Sequence, residues 1–231
     1  MKTACLSLSE LEDILNYEFK NKGLLKEAMT HSSINNTESY ERLEFLGDSV
    51  LGYVVTKHLY CTYPELYQGT LTLLRSRNVG TEKFARVSVK HKFHRFLLLN
   101  APALELIVGY CIYHFNFQSR DSQIYCLIKK MNEITLVVQI KDFVKAIEDE
   151  SKSFRFGDFK PPKVLADIVE SIAGAVYVDS GYSADQVWEV LHSRNFPLKS
   201  SVYCKFDSCQ ICIGAAGIPA TVRTTGESRN T

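Results

Sequence analysis

The chain has 231 residues, room for one domain of ordinary size with extensions or for two small ones. Apolar residues make up 45% and charged residues 23%, which excludes wholesale disorder and fibrous repeats. Lys plus Arg total 27 against 26 Asp plus Glu, a net charge of +1, which excludes a highly basic nucleic-acid coat but leaves room for a basic patch on one face. In chain order, residues 8–20 open on a cap-like Ser9 and repeat Leu8, Leu11, Ile14 and Leu15 at helical spacing. After 21–23 a second helix is predicted over 24–30, followed by a polar stretch, 31–39. A long helix is predicted over 40–62, stopping before Pro64. Gly69 opens another long helical stretch through Leu73, Leu74, Val79, Phe84 and Val87. Pro161-Pro162 form a rigid start for a helix over 163–178, Gly181 is its stop, and 184–191 is the last helix. No runs pair as strands, so the core is read as helical.

Two regions differ from this texture. Residues 107–138 are aromatic and β-branched with no clean period, and from about Pro197 the chain turns Ser, Thr, Gly and Cys rich. The expected organisation is a helical domain over 7–195 with an atypical, irregular insert at 107–138, then an unstructured tail over 196–231. No apolar run of about 18 residues is present, so no membrane span is expected. The start of the chain has no stretch apolar enough for a signal peptide. Seven irregularly spaced cysteines read as free thiols in a reducing, intracellular compartment, with nucleus and cytoplasm not distinguished. Cys204 and Cys209-x-x-Cys212 make only half of a zinc pattern.

The chemistry concentrates in two segments. In 41–52 (ERLEFLGDSVLG), a helix puts Glu41, Glu44 and Asp48 on one stripe, which Gly52 continues. Leu43, Leu46, Val50 and Val54 form the opposite stripe, so this helix is expected to be buried and its acids to need a cation. In 163–178 (KVLADIVESIAGAVYV), Asp167 and Glu170 are the only charges inside the helix, three residues apart on one face. Gly174 follows Glu170 by four, as Gly52 follows Asp48, and a glycine on such a stripe lets another backbone approach. Two such helices can cross and assemble four carboxylates, a donor set for hard divalent ions, chiefly Mg²⁺. Against this stands the reading of solvated acids paired with Arg42, Arg75 and Lys163, but too few cations lie nearby to neutralise four acids.

The segment 41–52 resembles the signature of the ribonuclease III family, and 163–182 (KVLADIVESIAGAVYVDSGY) resembles its second catalytic helix. Thr30-His31-Ser32-Ser33, Tyr63-Pro64-Glu65 and Gly69-x-Leu71-x-x-Leu74-Arg75-Ser76-x-Asn78-Val79 follow in the family's order. The likeness covers about 8–105 and 139–192, and its texture is most similar to plant ribonuclease III-like proteins. It implies the all-α endonuclease-domain fold and hydrolysis of double-stranded RNA to 5′-phosphate products with short 3′ overhangs. Glu44, Asp48, Asp167 and Glu170 align with the family's catalytic, metal-binding acids, served by Mg²⁺ with Mn²⁺ as the alternative. Glu41 aligns with an acid at the rim of the site. The resemblance further implies a homodimer through the signature helix and a double-stranded or hairpin RNA substrate. Thr30, His31, Ser32, Arg75, Ser76, Asn78 and Lys163 are its candidate RNA contacts, each with capping or surface placement as the plainer role.

Two departures matter. About 35 residues follow Leu198, too few for the double-stranded RNA-binding module common in the family, so a double-stranded RNA-binding protein acting in trans is an expected partner. Joining 102–105 directly to 139–144 restores an amphipathic helix of the family type, which suggests that the insert is a retained intron, with a tolerated loop as the plainer alternative. A catalytically weak or inactive RNA-binding or dimerisation subunit therefore stands as the alternative function. A helical phosphohydrolase acting on small nucleotides would need His near the acids, and neither acid-bearing helix has one in reach.

Overall fold

The computed structural model of the chain describes residues 7–34, 38–100, 120–149 and 160–193. All of them fall in the first of two compact units, 1–196; the expected tail lies outside the described residues, as do Cys204, Cys209 and Cys212. The described chain is helical: α1 (Leu8–Leu15), α2 (Lys22–Ala28), α3 (Glu41–Thr62), α4 (Gln68–Asn78), α5 (Thr81–Lys90), α6 (Arg120–Asp149), α7 (Lys163–Asp179) and α8 (Ala184–Ser193), with a 3₁₀ turn at Phe93–Arg95. The one β-bridge among these residues pairs Thr30 with Leu98 in parallel. No helix among them is long and apolar enough to cross a membrane.

Helix α7 is the centre of the domain. Every residue from Val164 to Val176 is buried, and α2, α3, α5 and α8 pack around it. Its sequence explains this placement: apolar and small residues occupy nearly its whole circumference, Pro161-Pro162 precede it, and Gly181 follows at φ +76. Ser171, fully buried, stays satisfied by donating to the Ala28 carbonyl at the end of α2 (2.7 Å). At the far end the Asp179 carboxylate accepts from the Lys20 and Asn21 amides and from Tyr17 Oη, fastening the α1–α2 connection to α7.

Three expectations need correction. The α1 cap is Ser7 rather than Ser9, with its hydroxyl accepting from the Glu10 amide (3.4 Å), and the helix ends at Leu15 because Asn16 turns left-handed (φ 53). The stretch after Gly69 is two helices, α4 and α5, divided at Val79–Gly80 where the glycine is extended. The part of the insert that is described, 120–138, is regular: it is the start of α6 and runs without a break into the segment carrying the buried Ile140 and Phe143. Its remaining part, 107–119, lies outside the described residues.

Helix α3 is not buried all round. Leu43, Gly47, Val50, Leu51, Val54, Val55 and Leu59 face the core, whereas Phe45, Tyr53 and Tyr60 are 78%, 57% and 73% exposed. The apolar residues flanking its inner stripe are therefore a second, outward face.

Candidate metal centre

The crossing of α3 and α7 is made by glycines. A Cβ on Gly47 would run into the Glu170 carbonyl and lie 2.9 Å from the Gly174 nitrogen; one on Gly174 would run into the Leu43 carbonyl. Backbone meets backbone here, which only glycine permits. Of the two glycines expected to permit a close approach, Gly174 does so, whereas the missing Cβ of Gly52 faces open space. The reason is helical drift: each four-residue step overshoots a full turn by about 40°. By Gly52 the stripe that starts at Glu44 has rotated away from α7, while Gly47 lies under Leu43.

This close approach brings the acids of the two helices together. Carboxylate oxygens of Glu44, Asp167 and Glu170 lie within 4.8 Å of one another. Asp167 and Glu170 are 5% and 9% exposed, and Glu44 is half-buried. Asp48, the fourth expected member, stands outside this triplet in an exposed position one turn beyond Glu44, yet its charge still reaches Glu170. Burial, then the charges of Asp48, Asp167 and Glu44, push the Glu170 carboxyl up to about 7. Burial also raises Asp167, a rise countered by Lys163.

Two further side chains complete the centre. The Lys163 ammonium donates to Glu44 Oε1 (3.0 Å) and to Asp167 Oδ1 (2.7 Å), bridging the two helices. Burial works against the charge on Lys163, but its bonds to Asp167 and Glu44 outweigh that and hold its pKa above the ordinary lysine value. Tyr40 Oη donates to Asp167 Oδ2 (3.3 Å), so both oxygens of that carboxylate have partners. Tyr40 was not singled out in the sequence; its one local sign is a position four residues before Glu44 at the start of α3.

The expected RNA contacts scatter. Thr30 is buried and donates to the Lys26 carbonyl (2.7 Å). Asn78 is buried, donates to the Leu74 carbonyl (2.9 Å) and accepts from Lys83. Neither side chain is on the surface. Ser32, Arg75, Ser76 and Lys163 are exposed, as is the rim acid Glu41, which accepts from Ser39 Oγ (3.4 Å). His31 accepts through Nδ1 from the Ser33 amide (3.1 Å) and sets its ring 5.7 Å from that of Tyr40. With Ser32 it also faces α6 across an open groove of about 430 Å³ lined by Asn132, Thr135 and Gln139.

Oxygen donors from two helices around a bridging cation fit a hard divalent ion, since an ammonium already lies between Glu44 and Asp167. The chain is 40% identical over 194 residues to ribonuclease 3-like protein 2 of Arabidopsis thaliana, covering 83% of this chain and 41% of that protein. It is 43% identical over 195 residues to endoribonuclease Dicer homolog 1 of the same plant, covering 81% and 8%. The chain thus spans less than half the length of these relatives. Its fold matches the nuclease domain of a ribonuclease III from Campylobacter jejuni, in a structure concerned with flexibility of the region involved in dimer formation. That match has a TM-score of 0.52 at 26% identity over 83% of this chain and 99% of that one. The ribonuclease III domain model spans 41–181, taking in both acid-bearing helices and the glycine crossing between them, and on that ground the chain belongs to the ribonuclease III family.

Proposed function

We propose that the chain is a metal-dependent endoribonuclease that hydrolyses double-stranded or hairpin RNA to 5′-phosphate products with short 3′ overhangs. The observation that carries this reading is the convergence of Glu44, Asp167 and Glu170 where the two family helices cross. Glu44, Asp167 and Glu170, with Asp48 at the rim, are the residues that would hold Mg²⁺ or Mn²⁺. A divalent ion bound there supplies Lewis acidity toward a phosphodiester and makes a nearby water more acidic. The protein's part is positional: Tyr40 holds one oxygen of Asp167, and the glycine crossing sets the separation of the helices.

A homodimer fits the outward face of α3, where Phe45, Tyr53 and Tyr60 stand exposed. With 27 Lys plus Arg balanced by 26 acids, the net charge of +1 gives little overall attraction to phosphates, so RNA binding is expected to be weak and salt-sensitive, and a double-stranded RNA-binding partner in trans fits that charge. The test is cleavage of a long RNA duplex with and without Mg²⁺, beside single-stranded RNA. Duplex-specific, Mg²⁺-dependent cleavage that disappears in Glu170→Gln supports the proposal. Duplex binding without cleavage at saturating Mg²⁺ replaces it with the reading of a non-catalytic RNA-binding subunit.

A further inference from the structure

The Lys163 ammonium bridges Glu44 and Asp167 at 3.0 and 2.7 Å, two of the three acids whose oxygens converge. A divalent ion using that convergence needs the same two carboxylates. An ammonium and a metal ion cannot both occupy the space between them, because two cations sharing those oxygens repel. Lys163 can leave. Its side chain is 72% exposed, whereas that of Asp167 is 8% exposed, so the lysine's four-carbon stem can swing toward solvent while the acids stay fixed.

The acids cannot dispense with a cation as easily. Asp167 and Glu170 lie in the stretch 164–176 of α7, every residue of which is buried, and Asp48 adds a further negative charge nearby. Within 4 Å of these four acids, Lys163 is the cation seen among the described residues. We propose that Lys163 is a placeholder cation: it neutralises the Glu44–Asp167 pair in the metal-free protein and must be displaced outward for a divalent ion to bind. This deepens the metal-dependent reading above and rests on it. Lys163 is then a positioning residue that sets how much metal the protein needs. Replacing it should make metal bind tighter, opposite in sign to the loss of a residue that merely holds the acids in place.

The test is calorimetric titration of Mg²⁺ and of Mn²⁺ into the full chain without RNA, for wild type and Lys163→Met. Methionine keeps an unbranched stem and removes the charge. The expected result is an apparent Kd about threefold to tenfold lower in the variant, the size of two partly exposed ion pairs released from competition. Its thermal midpoint should be lower than wild type without metal and rise more on metal addition. Unchanged or weaker metal binding in Lys163→Met overturns the proposal. Should the variant fail to fold, wild type alone decides: the ¹³Cε signal of Lys163 should move to that of a solvent-exposed lysine as metal is added. If metal binds and that signal stays in place, the placeholder role falls and the metal-dependent reading stands. If neither ion binds wild type, both fall.

Discussion

Helix α7 is enclosed along nearly its whole length, whereas α3, its partner at the glycine crossing, turns Phe45, Tyr53 and Tyr60 to solvent. Both helices carry acids three or four residues apart, but the settings differ. On α7 Asp167 and Glu170 lie in the interior, and Glu170 is pushed up to about 7; on α3 Asp48 stands exposed. One helix therefore supplies a rigid, desolvated half of the metal centre. The other supplies a half open to solvent and keeps an exposed apolar face.

Substitutions on the two helices test this contrast. The largest effect is expected at the crossing. Gly47→Ala should destabilise the fold on the order of 4 kcal/mol, because the new methyl meets backbone that has nowhere to go. Gly52→Ala, facing open space on the same helix, should be neutral or stabilise by up to about 1 kcal/mol. Urea denaturation of the two variants measures the difference, and equal effects would remove the crossing as the joint of the fold. Next, Ile168→Ala on α7 should cost about 3 kcal/mol, the usual size for a fully buried aliphatic side chain.

A smaller and pH-dependent effect is expected at Glu170. In the folded protein its carboxyl titrates near 7, against an ordinary value of 4.5, so the folded state retains a proton that the unfolded chain has lost. Stability of the metal-free protein should therefore fall as pH rises through that window and level off above it. Glu170→Gln should remove this component and gain on the order of 2 kcal/mol at pH 8 in chelator, while abolishing cleavage. Thermal midpoints of both proteins from pH 4 to 8 provide the check, and parallel curves would contradict it. The smallest stability change is expected on the outer face of α3. Phe45→Ser with Tyr53→Ser should alter monomer stability by less than about 0.5 kcal/mol per site but lower the self-association measured by sedimentation.

The long helices were legible because their periodicity is bounded by hard stops. Pro64 closes α3 at Thr62, and Pro161-Pro162 with Gly181 bracket α7 to within a residue. The acids were legible too, as charges on otherwise apolar helices. Gly47 and Tyr40 were not. Each acts across more than a hundred residues of sequence, Gly47 on the Glu170 carbonyl and Tyr40 on Asp167, and neither contact leaves a mark in local spacing. The break between α4 and α5 was hidden because the apolar period runs on through Val79, and the helical character of 120–138 because those residues have no single apolar face.

The small clasp around Thr30 and Leu98 bears on how much chain length this domain can absorb. The His31 amide donates to the Leu98 carbonyl (3.0 Å), the Leu98 amide to the Met29 carbonyl (2.8 Å), and the Asn100 amide to Ser33 Oγ (3.0 Å). The Thr30 carbonyl in turn accepts from the Tyr40 amide (2.9 Å), at the threshold of α3. The chain is thus anchored at Asn100, just ahead of the segment that departs from the family pattern, and anchored by the same residues that set the entry of α3. Loop-closure entropy grows only logarithmically with length, so a clasp at this point tolerates a change in chain length beyond it at little entropic cost. The added sequence is still in touch with the site, because Asn132 and Thr135 line the groove that His31 faces and the His31 ring lies beside Tyr40, so a change in this segment has a short path to the entry of α3.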